Sequence, residues 1–228
     1  MVIRFENVSK KYNPSITALE NINLEVSGGE FIFLVGPSGA GKSTLLRLLT
    51  KEASPSSGKI FVEDIDITKL KSKDIPKYRR KIGFVFQDFK LLDDHTVFEN
   101  VALALEVRGI KEDEINKEVE RILKLFEIWQ RKNLFPSQLS GGEAQRTAIA
   151  RAIIGKPDIL LADEPTGDLD PQTSWGVIQL LNEINSWGTT ILMATHNAEI
   201  VNTLKRRVIS LRDGKIVKDK SEGKYELH

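Results

Sequence analysis

The chain has 228 residues, of which 40% are hydrophobic, enough to bury the core of one large domain or of a core with a subdomain. Its 33 lysines and arginines nearly balance its 32 aspartates and glutamates, and the net charge of +1 indicates no polyanionic partner such as a nucleic acid. The absence of cysteine excludes disulfides, and the absence of a signal peptide or a long apolar run predicts a soluble, cytosolic protein.

Short apolar segments predict the strands of an α/β core. Residues 2–8 and 18–26 alternate between apolar and polar, which is typical of half-buried strands in an antiparallel sheet. Residues 31–35 are continuously apolar, as expected for a parallel strand that is covered on both faces. Further segments with this buried character are residues 82–86, 159–162 and 190–195.

Helical periodicity replaces the strand pattern between about Thr96 and Gly155. It is clearest over residues 112–129, where apolar side chains recur at helical spacing at Ile115, Val119, Ile122, Leu123 and Phe126. Farther along, two apolar segments at 207–211 and 215–217 flank an Asp-Gly pair and predict a β-hairpin.

These patterns predict one domain over residues 1–228. Its α/β core, with an N-terminal antiparallel β subdomain, takes residues 1–87 and 156–228, and an inserted helical subdomain takes residues 88–155.

A glycine-rich segment follows the buried strand at 31–35 and precedes a helix predicted over 44–52. Its G-x-x-x-x-G-K-S pattern is that of a phosphate-binding loop, in which glycines let backbone N–H groups approach the phosphates. Lys42 would reach the β- and γ-phosphate oxygens and Ser43 would supply a hydroxyl to Mg²⁺. A glycine-rich turn without this function would leave Lys42 unexplained. The predicted nucleotide contacts are Gly36, Pro37, Ser38, Gly39, Ala40, Gly41, Lys42, Ser43 and Thr44.

Two acidic residues follow the apolar run at 159–162. A carboxylate at the C-terminal edge of a parallel strand lies beside the phosphate loop, so Asp163 can hold Mg²⁺ through water. The chain turns at the end of the strand, which would let Glu164 face the γ-phosphate and orient or deprotonate the attacking water. Adjacent acidic residues in loops are more often only solvated, but the preceding apolar residues favour the catalytic interpretation.

The segment at 139–143, Leu-Ser-Gly-Gly-Glu, has two compatible interpretations. Ser140 and Glu143 form the Ser-x-x-Glu pattern of a capping box at a helix start. A helix N-terminus with two glycines is also a site for an anion, because its N–H groups point outward and no Cβ blocks the approach. The chain would then have a second phosphate-binding device.

In this order, the motifs resemble those of the ATP-binding cassette (ABC) family over essentially the whole chain. The segment at 139–143 matches the family signature, Gln87 matches the Q-loop glutamine, residues 167–170 resemble the D-loop, and His196 stands at the switch position. Ala144 departs from the frequent glutamine, outside the phosphate-contacting part. The resemblance implies a P-loop NTPase fold with a RecA-like parallel-sheet core, an antiparallel β subdomain and an inserted α-helical subdomain.

The resemblance also implies an ATPase that uses ATP and Mg²⁺. Tyr12 would stack on adenine, although an exposed tyrosine in a turn is equally compatible. The implied catalytic residues are Lys42, Gln87, Glu164 and His196. The implied metal-binding residues are Ser43, Gln87 and Asp163. The implied nucleotide contacts outside the loop are Tyr12, Ser140, Gly141, Gly142 and Asp170.

In this family Ser140 and Gly142 would bind the γ-phosphate held by the opposite subunit, so the resemblance implies a homodimer that closes head to tail on ATP. Because the chain has no membrane span, the resemblance also implies an integral membrane partner and a peripheral position on the cytoplasmic face of the cell membrane. The apolar cluster of Phe89, Leu91 and Leu92 lines a groove for that partner or belongs to the subdomain core.

Four segments, at residues 86–92, 96–101, 161–170 and 193–197, resemble the cell-division branch of the family, whose ATPases drive a membrane partner rather than move a solute. Lipoprotein-releasing and macrolide-exporting ATPases share most of these segments, and a solute importer's ATPase is a further alternative. The DNA-repair and translation branches fit poorly, since the chain has neither a long coiled-coil insertion nor a second cassette.

Overall fold

The computed structural model describes residues 3–13 and 15–225, and this part of the chain forms two β-sheets and seven α-helices. The strands are β1 (Ile3–Asn13), β2 (Ile16–Val26), β3 (Phe31–Val35), β4 (Ser57–Val62), β5 (Ile65–Asp66), β6 (Ile82–Val85), β7 (Ile159–Asp163), β8 (Thr190–Ala194), β9 (Arg207–Arg212) and β10 (Lys215–Lys220). The α-helices are α1 (Lys42–Leu49), α2 (Ile75–Arg79), α3 (Val97–Glu106), α4 (Glu112–Leu125), α5 (Gly141–Ile153), α6 (Pro171–Ser186) and α7 (Ala198–Leu204).

The larger sheet has the strand order β10-β9-β3-β8-β7-β6, and its strands run parallel except for β10 at the edge. All residues of β3 and β8 are buried, because helices or the second sheet cover both faces. This confirms the parallel-sheet core. The carboxyl ends of β3, β6, β7 and β8 lie at one edge of the sheet, which brings the segments that follow them together.

The smaller sheet has the order β2-β1-β4-β5 and is antiparallel. Its inward residues, such as Phe5 and Leu24, are paired across β1 and β2 and join one apolar core with Leu45 and Leu46 of α1. Burial of this common core fixes α1, and therefore the phosphate loop before it, between the two sheets.

Helices α3, α4 and α5 lie between β6 and β7 in the sequence and pack on one another. The apolar stripe of α4 is buried as predicted, but the helix ends at Leu125 rather than Trp129. Glu127 adopts a positive φ of 57°, which stops the helix, and Trp129 begins a separate 3₁₀ turn. The boundaries of the helical subdomain at 88 and 155 stay a prediction.

Other element ends also differ from the prediction, and β1, for example, continues to Asn13 instead of ending at residue 8. Helix α1 starts at Lys42 and ends at Leu49, instead of covering 44–52, because Lys51 has a left-handed φ of 57°. The predicted hairpin is confirmed with a turn at Asp213 and Gly214, and its second strand continues to Lys220. Among the described residues, no helix is both long enough and apolar enough to cross a membrane.

Candidate functional site

The glycine-rich loop connects β3 to α1 at the carboxyl edge of the parallel sheet. Gly36 has a φ of 147°, and a Cβ at this position would lie 2.2 Å from the carbonyl oxygen of Leu211 in β9. A larger residue would therefore push the loop away from the neighbouring strand. The N-terminus of α1 follows directly, so its free N–H groups and its positive dipole end face the space above the loop.

Lys42 is buried, and its ammonium group is held over the loop. Its Nζ donates hydrogen bonds to the carbonyl oxygens of Gly36 at 2.8 Å and Pro37 at 3.3 Å. The same atom lies 3.8 Å from Oε1 of Glu164. The lysine charge is thus directed at the loop and at a carboxylate across it, which is where a bound phosphate would need a cation.

Ser43 and Asp163 form the second polar pair of the site. The Ser43 hydroxyl donates to Oδ1 of Asp163 at 3.0 Å, and it brings the first turn of α1 against the end of β7. Burial raises the pKa of Asp163, and the hydrogen bond from Ser43 opposes that increase. A partly buried carboxylate beside a hydroxyl is a donor set that suits a hard divalent cation, whose charge would offset the cost of burying the carboxylate.

Glu164 turns away from the strand that precedes it. Its φ of 50° is unusual for a residue with a side chain, and this turn directs the carboxylate into the site. Oε2 accepts a hydrogen bond from the backbone N–H of His196 at 3.2 Å and lies 2.8 Å from Nδ1 of the same histidine. The carboxylate is therefore held between the lysine and the histidine, with only 14% of the Glu164 side chain exposed.

Apart from Asp163, which lies behind Ser43 and is not part of the wall, these groups line one open cavity of about 1320 Å³. It brings together the predicted residues Gly36, Pro37, Ser38, Gly39, Ala40, Gly41, Lys42, Ser43, Thr44, Gln87, Glu164 and His196. Residues that the sequence did not predict form the rest of its wall: Ala18, Ser210, Leu211, Arg212, Asp213, Val217, Lys218, Lys224 and Tyr225. Most of this second group lies on β9, on β10 and on the residues after β10. No local pattern could have identified these residues, because β9 reaches the loop through its pairing with β3, and β10 through its pairing with β9. Ala18 belongs to β2.

Gln87 lines the cavity just after β6, and the loop that follows it has a fixed backbone. Phe89 and Lys90 both have a left-handed φ, 58° and 49° respectively. The guanidinium of Arg151, from α5, donates to the carbonyl of Phe89 at 2.8 Å and to that of Lys90 at 2.6 Å. Arg151 thus ties the Q-loop to α5. No pattern in the sequence indicates this contact, since 61 and 62 positions separate Arg151 from its acceptors.

The segment at 139–143 forms the predicted capping box. Ser140 is the N-cap of α5, its hydroxyl accepts from the backbone N–H of Glu143 at 3.3 Å, and Glu143 in turn accepts from the Ser140 N–H at 2.9 Å. Nε of Arg131 donates to the other carboxylate oxygen of Glu143 at 2.6 Å. Arg131, and after it the Ser140 N–H, lower the pKa of Glu143 to about 2.

The remaining predicted residues lie outside the wall of this cavity. Tyr12 is 52% exposed, and its hydroxyl is 3.5 Å from Oγ1 of Thr44 at the cavity rim. Asp170 caps α6 by accepting from the backbone N–H of Thr173 at 3.0 Å. Among the described residues that line the cavity, none belongs to the Ser140, Gly141 and Gly142 group or is Asp170. Within one chain, the glycine-rich loop and the segment at 139–143 are therefore separate.

A phosphate loop on a parallel sheet, a separate Leu-Ser-Gly-Gly-Glu helix cap and a glutamate–histidine pair together define an ATP-binding cassette. The chain belongs to the ABC transporter family, whose model matches residues 19–167. It is an ATPase of the ABC type that binds ATP.

Among ABC ATPases the chain is similar, over nearly its full length, to proteins named cell division ATP-binding protein FtsE. The FtsE of Bacillus subtilis (strain 168) is 52% identical over 98% of this chain and 98% of its own length. The FtsE proteins of Mycobacterium tuberculosis and Escherichia coli (strain K12) are 48% and 46% identical, over 100% and 93% of this chain and 99% and 96% of their own lengths.

Solved structures support the same class. A dimeric, post-hydrolysis state of the ATP-binding cassette MJ0796 bound to ADP and Pi has a TM-score of 0.89 and 37% identity, and covers 98% of this chain and 100% of that chain. A second dimeric structure of MJ0796 has a TM-score of 0.89 and 38% identity, with coverage of 98% and 100%.

Proposed function

We propose that the chain is the ATPase subunit of an FtsEX-type cell-division complex, which drives an integral membrane protein resembling FtsX and so regulates cell-wall hydrolysis. The full-length identity of 46–52% to FtsE proteins from several bacteria carries this proposal. The alternative is the ATPase of a lipoprotein-releasing, macrolide-exporting or solute-importing ABC transporter, which the same site would serve.

The nucleotide would bind along the loop and α1. Lys42 would exchange its bonds to the Gly36 and Pro37 carbonyls for bonds to phosphate oxygens, which are stronger because they join opposite charges. Adenine would stack on Tyr12, whose hydroxyl already lies near Thr44. Ser43, Asp163 and Gln87 would hold Mg²⁺, which supplies charge neutralisation to the β- and γ-phosphates when bound.

Hydrolysis requires a base that faces the γ-phosphate. Glu164 has this position in our proposal, since its carboxylate lies across the loop from Lys42. It would accept a proton from the attacking water, and the bonds from His196 would hold it in the required rotamer. The exposed ring of His196 also has a free face toward the cavity, where it would donate to a phosphate oxygen.

The separation of Ser140 from the phosphate loop supports a second copy as its partner. In a head-to-tail homodimer, Ser140, Gly141, Gly142 and Asp170 of one copy would complete the nucleotide site of the other. Ser140 and Gly141 are exposed, and the capping box orients the first N–H groups of α5 outward. ATP would then hold the two copies together, and its hydrolysis would let them part.

The membrane partner would dock beside the Q-loop. Leu92 is 38% exposed and Phe89 and Leu91 are half-buried, so this cluster presents apolar surface next to the backbone that Arg151 fixes. A helix of an FtsX-like protein packed here would contact the loop that carries Gln87. The chain would therefore act at the cytoplasmic face of the cell membrane and reach the membrane through this partner.

Co-purification from membranes tests the proposal. We expect the tagged chain to recover an FtsX-like protein, and Leu92→Asp to reduce that recovery. Ile65→Asp is the matched control, since Ile65 is 39% exposed on the β5 side of the molecule. Recovery of a multi-span permease in place of an FtsX-like protein would overturn the cell-division proposal and favour a solute transporter.

A further inference from the structure

The wall of the cavity opposite the phosphate loop includes a short segment that we call the strap, residues 221–225, which follows β10. Gly223 is buried and its N–H donates to the carbonyl of Arg206 at 3.2 Å. The side chain of Asn202, in α7, accepts from the N–H of Tyr225 at 2.8 Å and donates to its carbonyl at 3.3 Å. The residues on both sides of Lys224 are therefore fixed, which defines where its exposed side chain emerges.

The cavity extends from the phosphate loop to β10 and the strap. Lys218 of β10 and Lys224 of the strap contribute positive charge to this part of its wall. Within the part of the chain that the structure describes, neither lysine forms an ion pair, so this wall suits an acidic surface.

The chain carries such an acidic group beside its own signature segment. Asp168 is exposed, and no ion pair or hydrogen bond to its carboxylate is formed among the described residues. Its neighbour Leu169 packs against Gly141, and a Cβ at Gly142 would lie only 2.6 Å from Cγ2 of Thr173. These close contacts hold the signature segment and Asp168 at one edge of the molecule.

We propose that Lys224 pairs with Asp168 of the partner copy when the ATP-bound dimer closes. This inference rests on the head-to-tail dimer of the proposed function: if the signature segment of one copy enters the cavity of the other, Asp168 enters with it. Two-fold symmetry forms the pair twice per dimer. The attraction between Lys224 and Asp168 would orient the edge of the partner copy that carries the signature segment, while the nucleotide supplies most of the affinity between the two copies.

Charge exchange tests the pair in a Glu164→Gln background, where slow hydrolysis preserves the ATP-bound dimer. We expect Lys224→Glu and Asp168→Lys each to raise the dimer dissociation constant at least about fivefold in sedimentation with ATP, because each change creates two repulsive contacts. The doubly exchanged chain should return to within about twofold of the parent, since both contacts are attractive again. Lys220→Glu is the control, because it makes the same charge change on β10 outside the cavity wall.

Mixing experiments distinguish pairing between copies from pairing within one copy. When the doubly exchanged chain is mixed with the unexchanged parent, we expect homodimers to dominate, since every mixed dimer brings like charges together. A statistical mixture, or a doubly exchanged chain no better than either single variant, would overturn the pair while leaving the ATP-dependent dimer intact. A parent chain that remains monomeric at saturating ATP would overturn the dimer and the pair together.

Discussion

Replacing Glu143 by glutamine separates its charge from its role as a cap. Glutamine keeps an oxygen for the Ser140 N–H, as capping boxes with Glu or Gln do, but it loses the ionic bond to Arg131. A fall of the Glu143 pKa from 4.5 to about 2 corresponds to about 3 kcal/mol of stability if it is converted in full. Since the Arg131 side chain is 50% exposed, solvent screening reduces this contribution, and we expect a loss of about 1 kcal/mol at pH 7.

The stability that ionised Glu143 contributes should depend on pH in one direction. The pKa of Glu143 is lower in the folded chain than in the unfolded chain, so its ionic contribution is present above about pH 4.5 and is lost as the pH falls toward 2. Urea unfolding at pH 7 and pH 3 measures it. We expect the stability difference between the parent and Glu143→Gln to shrink by more than half at pH 3.

Glu183→Gln is the control for this measurement, because Glu183 is exposed on α6 and its carboxylate forms no hydrogen bond among the described residues. Equal stability of the parent and Glu143→Gln at both pH values would refute the reasoning, since it would mean that the ion pair with Arg131 contributes nothing.

Three further predictions follow from other contacts. Glu164→Gln should trap an ATP-dependent dimer that light scattering detects. The double variant with Glu164→Gln and Ser140→Ala should still bind a fluorescent ATP analogue but stay monomeric. If the double variant also forms a dimer, the role of Ser140 is contradicted. Gly142→Ala should lower the free energy of unfolding by about 1–3 kcal/mol, because the new methyl group would meet Cγ2 of Thr173. Adding Thr173→Ser removes that Cγ2 and should recover most of the loss. A double variant as unstable as Gly142→Ala alone would exclude this clash. Asn100→Ala should lower the free energy of unfolding in urea by about 2–4 kcal/mol, because the buried amide forms hydrogen bonds to four backbone groups of the loop before α3. A loss below about 1 kcal/mol would contradict this role.

The sequence was a good guide where one short segment determines the local structure. The apolar run of β3, the glycine pattern before Lys42 and the Ser-x-x-Glu cap of α5 each depend on neighbours within a few residues, and the structure contains all three. Their meeting at one edge of the sheet also followed, because parallel strands share that edge.

Contacts between distant segments could not be predicted in the same way. The end of α4 depends on the left-handed backbone of Glu127, and glutamate is a residue type that rarely adopts this conformation. The strap reaches the cavity only because Asn202 holds Tyr225 and because β10 pairs with β9. A single sequence carries no periodicity for such pairings, which follow from the packing of the complete fold.

The bond between Arg151 and the Q-loop gives the cassette a mechanical connection. Arg151 lies 11 residues beyond Ser140, so about 16 Å of continuous helix separates the loop it holds from the signature end. An α-helix of this length behaves as a rigid lever. In the proposed complex, a push from the membrane protein on the loop of one subunit would therefore move the far end of α5, which is the end that faces the nucleotide of the other subunit in the proposed dimer.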